Sequence, residues 1–366
     1  MYIVNGNENL YLPEEGPNFY NTDKGLRNWR VALAKAKAGE GGIVNLNFLG
    51  DSNTEGYGTS TTPADFATKG YVGRIRTRFA SSFGDCGLGF IAPAFPYGEA
   101  FWELGAGWQV NTSYGWGVAK TNLACGVDDA NIIIDFTGTG FTIIHATGTS
   151  LGKYTWKIDS GSETEVDCAG SMGAGNTVIT GLTSGVHTLT IKKYADAKSI
   201  FLFGGYPTTD VTCGVRINNL AKYGQPLESF VSTSDFVNVP QINYWQAKLT
   251  VIALVAIDAN AGTNELTYET NMRSLITRCK AYGDVLLLNN AVVPAISNET
   301  ANKYGNILKN LAFENDCAYA NYVGRMVTNS GLLDLGVINT SDEVHLNAVG
   351  AQDLATWLLN ILLEER

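Results

Sequence analysis

Between about Phe101 and Tyr206 the chain carries a succession of short β-rich runs and no convincing helix, while strands and helices alternate on either side. The runs are Asn131–Phe136, Phe141–Ala146, Tyr154–Ile158, Thr177–Ile179, His187–Ile191 and Ser199–Phe203, separated by Gly, Ser, Asp or Thr clusters. That spacing reads as an antiparallel β-sandwich of the jelly-roll kind. Alternating β and α elements read instead as a parallel sheet covered on both faces. The simplest architecture is one α/β domain made of both chain ends, residues 1–99 and 209–366, with the sandwich at 100–208 inserted between them. At 366 residues and 45% hydrophobic content the chain can bury cores for both.

The flanking elements follow from hydrophobic spacing. Leu26, Trp29, Leu33 and Ala36 predict a helix over 24–39, closed by Gly39. A strand over 43–49 follows, then a helix from about Pro63 to Phe83 with Val72, Ile75 and Phe79 inward. Beyond the β-rich block, Val211–Leu220, Leu249–Ile257 and Val285–Leu288 read as buried strands. Helices are expected around Tyr268–Cys279, Tyr304–Leu311 and Leu354–Leu362.

A formal charge of −10 and a pI of about 4.9 disfavour nucleic acid and anionic membranes as partners. A neutral substrate such as an esterified sugar is easily accommodated, and homo-oligomerisation is left open. No apolar run approaches the ~18 residues of a membrane span. The segment Met1–Glu8 has neither a basic start nor an apolar core; no secretory signal is expected, and a cytoplasmic or virion-associated protein is. The six cysteines are scattered without a C-x-x-C pair, which argues for free, mostly buried thiols rather than a metal or redox motif.

The chemistry lies at the two ends. The apolar strand Ile43–Leu49 runs into Gly50-Asp51-Ser52-Asn53-Thr54-Glu55-Gly56, placing Ser52 just past a strand's carboxyl end. Open α/β sheets put their ligand crevice there. Far along the chain, Ser341-Asp342-Glu343-Val344-His345 precedes the last helix, which this segment is expected to open. An alcohol, a base and a carboxylate to orient the base are the parts of nucleophilic acyl transfer.

GDSNT early, a Gly after a second strand, a polar segment after a third, and DEVH before a terminal helix resemble the SGNH, or GDSL-type, serine esterase family. The resemblance covers about two-thirds of the chain and implies a flavodoxin-like parallel sheet sandwiched by helices. It implies Ser52 as nucleophile, His345 as base and Asp342 as acid, with no cofactor and no metal. Ser52 N–H and Gly224 N–H are implied as oxyanion donors. The third donor is where the sequence departs from the family, which carries Gly-x-Asn-Asp after the third strand. Here the stretch reads Ala256-Ile257-Asp258-Ala259-Asn260, with Ile257 on the Asn position and Asp258 on the Asp. Ile cannot donate a hydrogen bond, so Asn260, brought round by a rearranged loop, is the expected donor. Family members with an inserted sandwich commonly act on carbohydrate O-acetyl groups, and similar modules occur in bacteriophage tail proteins. The resemblance therefore implies a carbohydrate O-acetylesterase. The rival reading, motivated by Ile257, is a carbohydrate-binding or adhesin module on an esterase scaffold with little or no catalysis.

Three features of the β-rich block compete for attention. Gly148-Thr149-Ser150-Leu151-Gly152 spells a nucleophile-elbow motif but lies between strands, and a hairpin loop is expected there. His145 and His187 sit in apolar strands and read as structural. Trp102, Trp108 and Trp116, with Tyr97 and Tyr114, would either stack on sugar rings or fill the core.

Overall fold

The computed structural model describes residues 2–4, 8–10, 18–93, 100–113, 115–234, 236, 239–290, 293, 296–326 and 331–363. Its central sheet has six strands: β1 (Phe19–Tyr20), β2 (Ile43–Gly50), β3 (Gly214–Asn219), β4 (Leu249–Ala253), β5 (Asp284–Asn289) and β6 (Ala318–Asn321). They lie in the order β3-β2-β4-β5-β6-β1, parallel except for β1, which runs antiparallel at one edge. Leu46, Phe48, Val251, Leu286 and Leu287 are fully buried, as expected of strands covered on both faces. Helices α1 (Arg27–Lys37), α3 (Tyr71–Phe83) and α7 (Ala348–Leu363) pack as one group. Trp29 on α1 meets Phe79 on α3 and donates its indole N–H to the Leu362 carbonyl on α7. Helices α5 (Glu265–Lys280) and α6 (Asn298–Glu314) form a second group through an edge-on contact of Tyr268 with Tyr304. Two short helices, α2 (Ser52–Glu55) and α4 (Ala256–Ala261), follow β2 and β4 at the carboxyl edge.

Residues 103–208 form two further sheets, each five-stranded and antiparallel. One contains Asn131–Gly138, Lys153–Ile158 and Gly185–Lys193; the other contains Gly140–Thr147, Gly173–Ile179 and Ile200–Thr208. Along Asn131–Gly138 every second residue is buried, so one face looks inward. The sheets meet face to face: Phe136 of one lies 5.0 Å from Phe141 of the other, ring centre to ring centre.

Several elements differ from their sequence pattern for local reasons. The helix expected over 63–83 breaks at Gly70, which is extended (ψ 157°). A Cβ at Gly70 would lie 2.9 Å from Gly56 Cα, so the break lets the Ser52 turn and α3 approach backbone to backbone. The strand expected over Leu249–Ile257 stops at Ala253, because the Ala-rich segment after it closes into α4. Gly148–Gly152 is not a hairpin loop. The strands it joins pair with different partners in different sheets, so the segment crosses from one sheet to the other. Trp102 and Trp108 are buried, and Trp116 stacks on Phe236 at 4.2 Å, which makes these rings packing elements. Tyr97 and Tyr114 lie outside the described residues.

Candidate active site

Ser52 is the first residue of α2, at the carboxyl end of β2. The turn forms because Asp51, extended at φ −93°, caps the helix by accepting the Asn53 N–H at 3.0 Å. Burial of that carboxyl dominates its titration and pushes its pKa up to about 7, against the opposing effect of the N–H groups around it. Nearby Asp258 is also held above the usual carboxylate range, chiefly by burial, although it accepts the Leu227 N–H at 2.8 Å.

His345 Nε2 lies 2.9 Å from Ser52 Oγ, and His345 Nδ1 lies 3.0 Å from Asp342 Oδ2. The first of these contacts joins residues 293 positions apart. Asp342 Oδ1 accepts the backbone N–H groups of Val344 and His345, at 2.9 and 3.0 Å. Burial works to raise the Asp342 carboxyl, but these two donors and the imidazole together hold it below the usual range. An ionised Asp342 takes the Nδ1 proton in a hydrogen bond and leaves Nε2 to accept from the Ser52 hydroxyl. The Asp342–His345 pair does not open the last helix, which begins at Ala348. It sits in a turn with Glu343 at φ +53°, a left-handed backbone that a right-handed helical turn does not accommodate.

Two residues close after Ser52 hold this turn in place, and the motif alone did not reveal either. Asn53 Oδ1 accepts the Leu346 N–H at 2.8 Å, tying the residue after His345 to the residue after Ser52. Gly58 (φ +87°) lies under His345: a Cβ there would sit 2.5 Å from His345 Cβ. The signal was present in Gly56-Tyr57-Gly58, but only the contact shows what it serves. Tyr57 presents its ring edge-on to the imidazole at 4.6 Å, and Tyr223 lies nearly parallel to it at 6.2 Å.

Gly224 is exposed on the loop after β3, at φ +67°. That loop runs beside the Gly50–Gly56 segment: Lys222 donates its N–H to the Gly50 carbonyl at 3.0 Å, and the Asn219 amide donates to the Thr54 carbonyl at 2.9 Å. Asn260 is brought to none of these groups. It is exposed, one residue from the end of α4, whereas Asp258 is buried. On a helix, positions two apart point roughly 200° apart, so a buried Asp258 turns Asn260 outward. The loop expected to carry Asn260 inward is thus a helix that carries it out. A cleft of about 580 Å³ bordered by Lys24, Arg27 and Lys280 lies at the opposite, amino-terminal end of the strands.

No family model matches the chain, and neither does any curated protein. Among solved structures, a peptidoglycan O-acetylesterase superposes with a TM-score of 0.68 over 94% of this chain and 99% of its own, at 16% identity. The chain shares that esterase's fold. Looser likenesses are found to a family two carbohydrate esterase from Cellvibrio japonicus and to a lipase/acylhydrolase from Enterococcus faecalis. The first has a TM-score of 0.32 at 11% identity, over 75% of this chain and 97% of its own. The second has a TM-score of 0.34 at 14% identity, over 40% and 75%. Similarity that loose carries no argument.

Proposed function

We propose that the chain is a serine esterase that removes O-acetyl groups from a carbohydrate. One observation carries the reading: the hydrogen-bonded line from Ser52 Oγ through both nitrogens of His345 to Asp342, within the fold of a peptidoglycan O-acetylesterase. In this mechanism Ser52 Oγ attacks the ester carbonyl while His345 Nε2 takes its proton, and Asp342 stabilises the imidazolium. The oxyanion is received by the N–H groups of Ser52 and Gly224. His345 then protonates the leaving sugar hydroxyl, and water admitted in its place hydrolyses the acetyl-enzyme. The chemistry requires no cofactor.

The division into residues 1–99 and 209–366 around an inserted jelly-roll at 100–208 belongs to the same proposal, supported by the two antiparallel sheets of that stretch. Trp102 and Trp108 pack inside this insert. The test is turnover of 4-nitrophenyl acetate and release of acetate from O-acetylated peptidoglycan or xylan. Both should fall to background in Ser52→Ala. Turnover that survives that change would sink the reading.

A further inference from the structure

The nucleophile helix carries a second buried acid that the mechanism above does not use. Glu55, the last residue of α2, is 2% exposed, and its Oε2 accepts the Tyr223 backbone N–H at 2.6 Å. Among the described bonds, two others tie the Gly224 loop to the nucleophile segment, and they end on backbone carbonyls, Gly50 and Thr54. The Glu55 bond falls on the residue next to Gly224, and its acceptor is a side chain.

Its position matters because of what Gly224 lacks. Gly224 is exposed, and a Cβ built on it would meet nothing within 4 Å, so side-chain packing does not hold it. Its N–H is aimed by the turn it lies in, where the Gln225 N–H reaches the Lys222 carbonyl at 3.4 Å, and by the Tyr223 backbone before it. A hydrogen bond of 2.6 Å to a buried carboxyl oxygen holds its donor in a narrow range of angles. A site built on preorganised donors depends on such support, because an oxyanion donor contributes only when aimed before the reaction begins.

We propose that Glu55 is a positioning residue for the oxyanion-binding loop: it clamps the Tyr223 peptide and thereby aims the Gly224 N–H at the ester carbonyl. The proposal rests on the esterase reading and on Gly224 as a donor. Ser52 and Glu55 then act as a pair on one short helix, the first presenting the attacking oxygen and the second the loop that receives the charge.

The test is steady-state hydrolysis of 4-nitrophenyl acetate by the full chain carrying Glu55→Ala, Glu55→Asp or Glu55→Gln, alongside wild type and Ser52→Ala. Gln keeps an oxygen at the same reach and can accept the Tyr223 N–H; Asp is one methylene short. Glu55→Ala and Glu55→Asp should lose ~10–100-fold in kcat with KM within ~3-fold, because the aimed donor acts mainly in the transition state. Glu55→Gln should stay within ~5-fold of wild type. A purely structural role would lower thermal stability without this split between kcat and KM, and would overturn the proposal. So would Glu55→Ala at wild-type kcat, or Glu55→Gln as impaired as Glu55→Ala. Should Glu55→Ala fail to fold, Asp against Gln decides: Asp impaired with Gln active supports the clamp, and the reverse order overturns it. Wild-type turnover that persists in Ser52→Ala is a separate result, which removes the esterase reading and the proposal with it.

Discussion

Gly58→Ala probes the Ser52–His345 geometry without touching either residue. A Cβ at this position would lie 2.5 Å from His345 Cβ and 3.0 Å from the Leu346 carbonyl oxygen. Carbon atoms rest at about 3.5–4.0 Å, so the two segments must separate by roughly 1 Å. Ala also tolerates the left-handed backbone at φ +87° poorly, which adds ~1–2 kcal/mol of strain. Asp342 moves with His345, because their contact and both Asp342-to-backbone bonds are local to one turn. The displacement therefore falls on the long-range contact, the 2.9 Å bond from Ser52 Oγ to His345 Nε2. Lengthened by about 1 Å, that contact is no longer a hydrogen bond. A misplacement of that size costs ~100-fold in rate. The assay is kcat for 4-nitrophenyl acetate, with circular dichroism to confirm folding and urea denaturation to measure stability. The expected result is a folded protein, less stable by ~1–2 kcal/mol and ~100-fold slower. A folded Gly58→Ala variant with kcat within ~3-fold of wild type would refute the claim that close approach at Gly58 sets the imidazole.

Two further outcomes follow from the burial of Asp51 and the exposure of Asn260. Asp51 has a folded-state pKa of about 7, raised from 3.8 by burial, so the native state holds its proton more tightly than the unfolded chain. Its contribution to stability is complete below pH 3.8 and declines as pH rises through about 7, by at most ~4 kcal/mol. Asp51→Asn should therefore gain stability over wild type between pH 4 and pH 8 in urea titrations; a wild-type-to-variant difference that does not change with pH would contradict this. Asn260→Ala should leave kcat within ~3-fold of wild type, since an outward-facing amide cannot meet an oxyanion. A loss of ~100-fold in kcat would restore Asn260 as the third donor.

What was legible in the sequence was mostly local. Periodicity located the strand ending at Gly50 and the β-rich block, because a two-residue or 3.6-residue repeat is the direct imprint of one buried face. The Asp342–His345 pair could also be read, since residues three apart meet without help from the rest of the fold. Where local reading failed, neighbouring structure had overruled pattern. Gly70 broke a helix to let Gly56 approach, and Gly148–Gly152 crossed between sheets because its flanking strands found different partners. At Asn260 the error was one of direction: the residue type suited a donor, but helical rotation pointed it at solvent.

The sequence by itself determined the chemical parts, a serine at a strand end and a histidine with its carboxylate in one turn, along with the change of period between the chain's ends and its middle. Only the tertiary structure decided that these parts meet. Ser52 reaches His345 because α7, which follows the His345 turn, packs against α1 and α3, and Leu346 is tied to Asn53 at the strand end. The contact is then refined by Asn53 holding Leu346, Gly58 yielding space to His345, and Glu55 holding Tyr223. Each is a pairing across a long loop of chain, and no residue spacing records it. Such contacts are set by which surfaces the whole sheet brings together, and packing rather than local preference selects that arrangement.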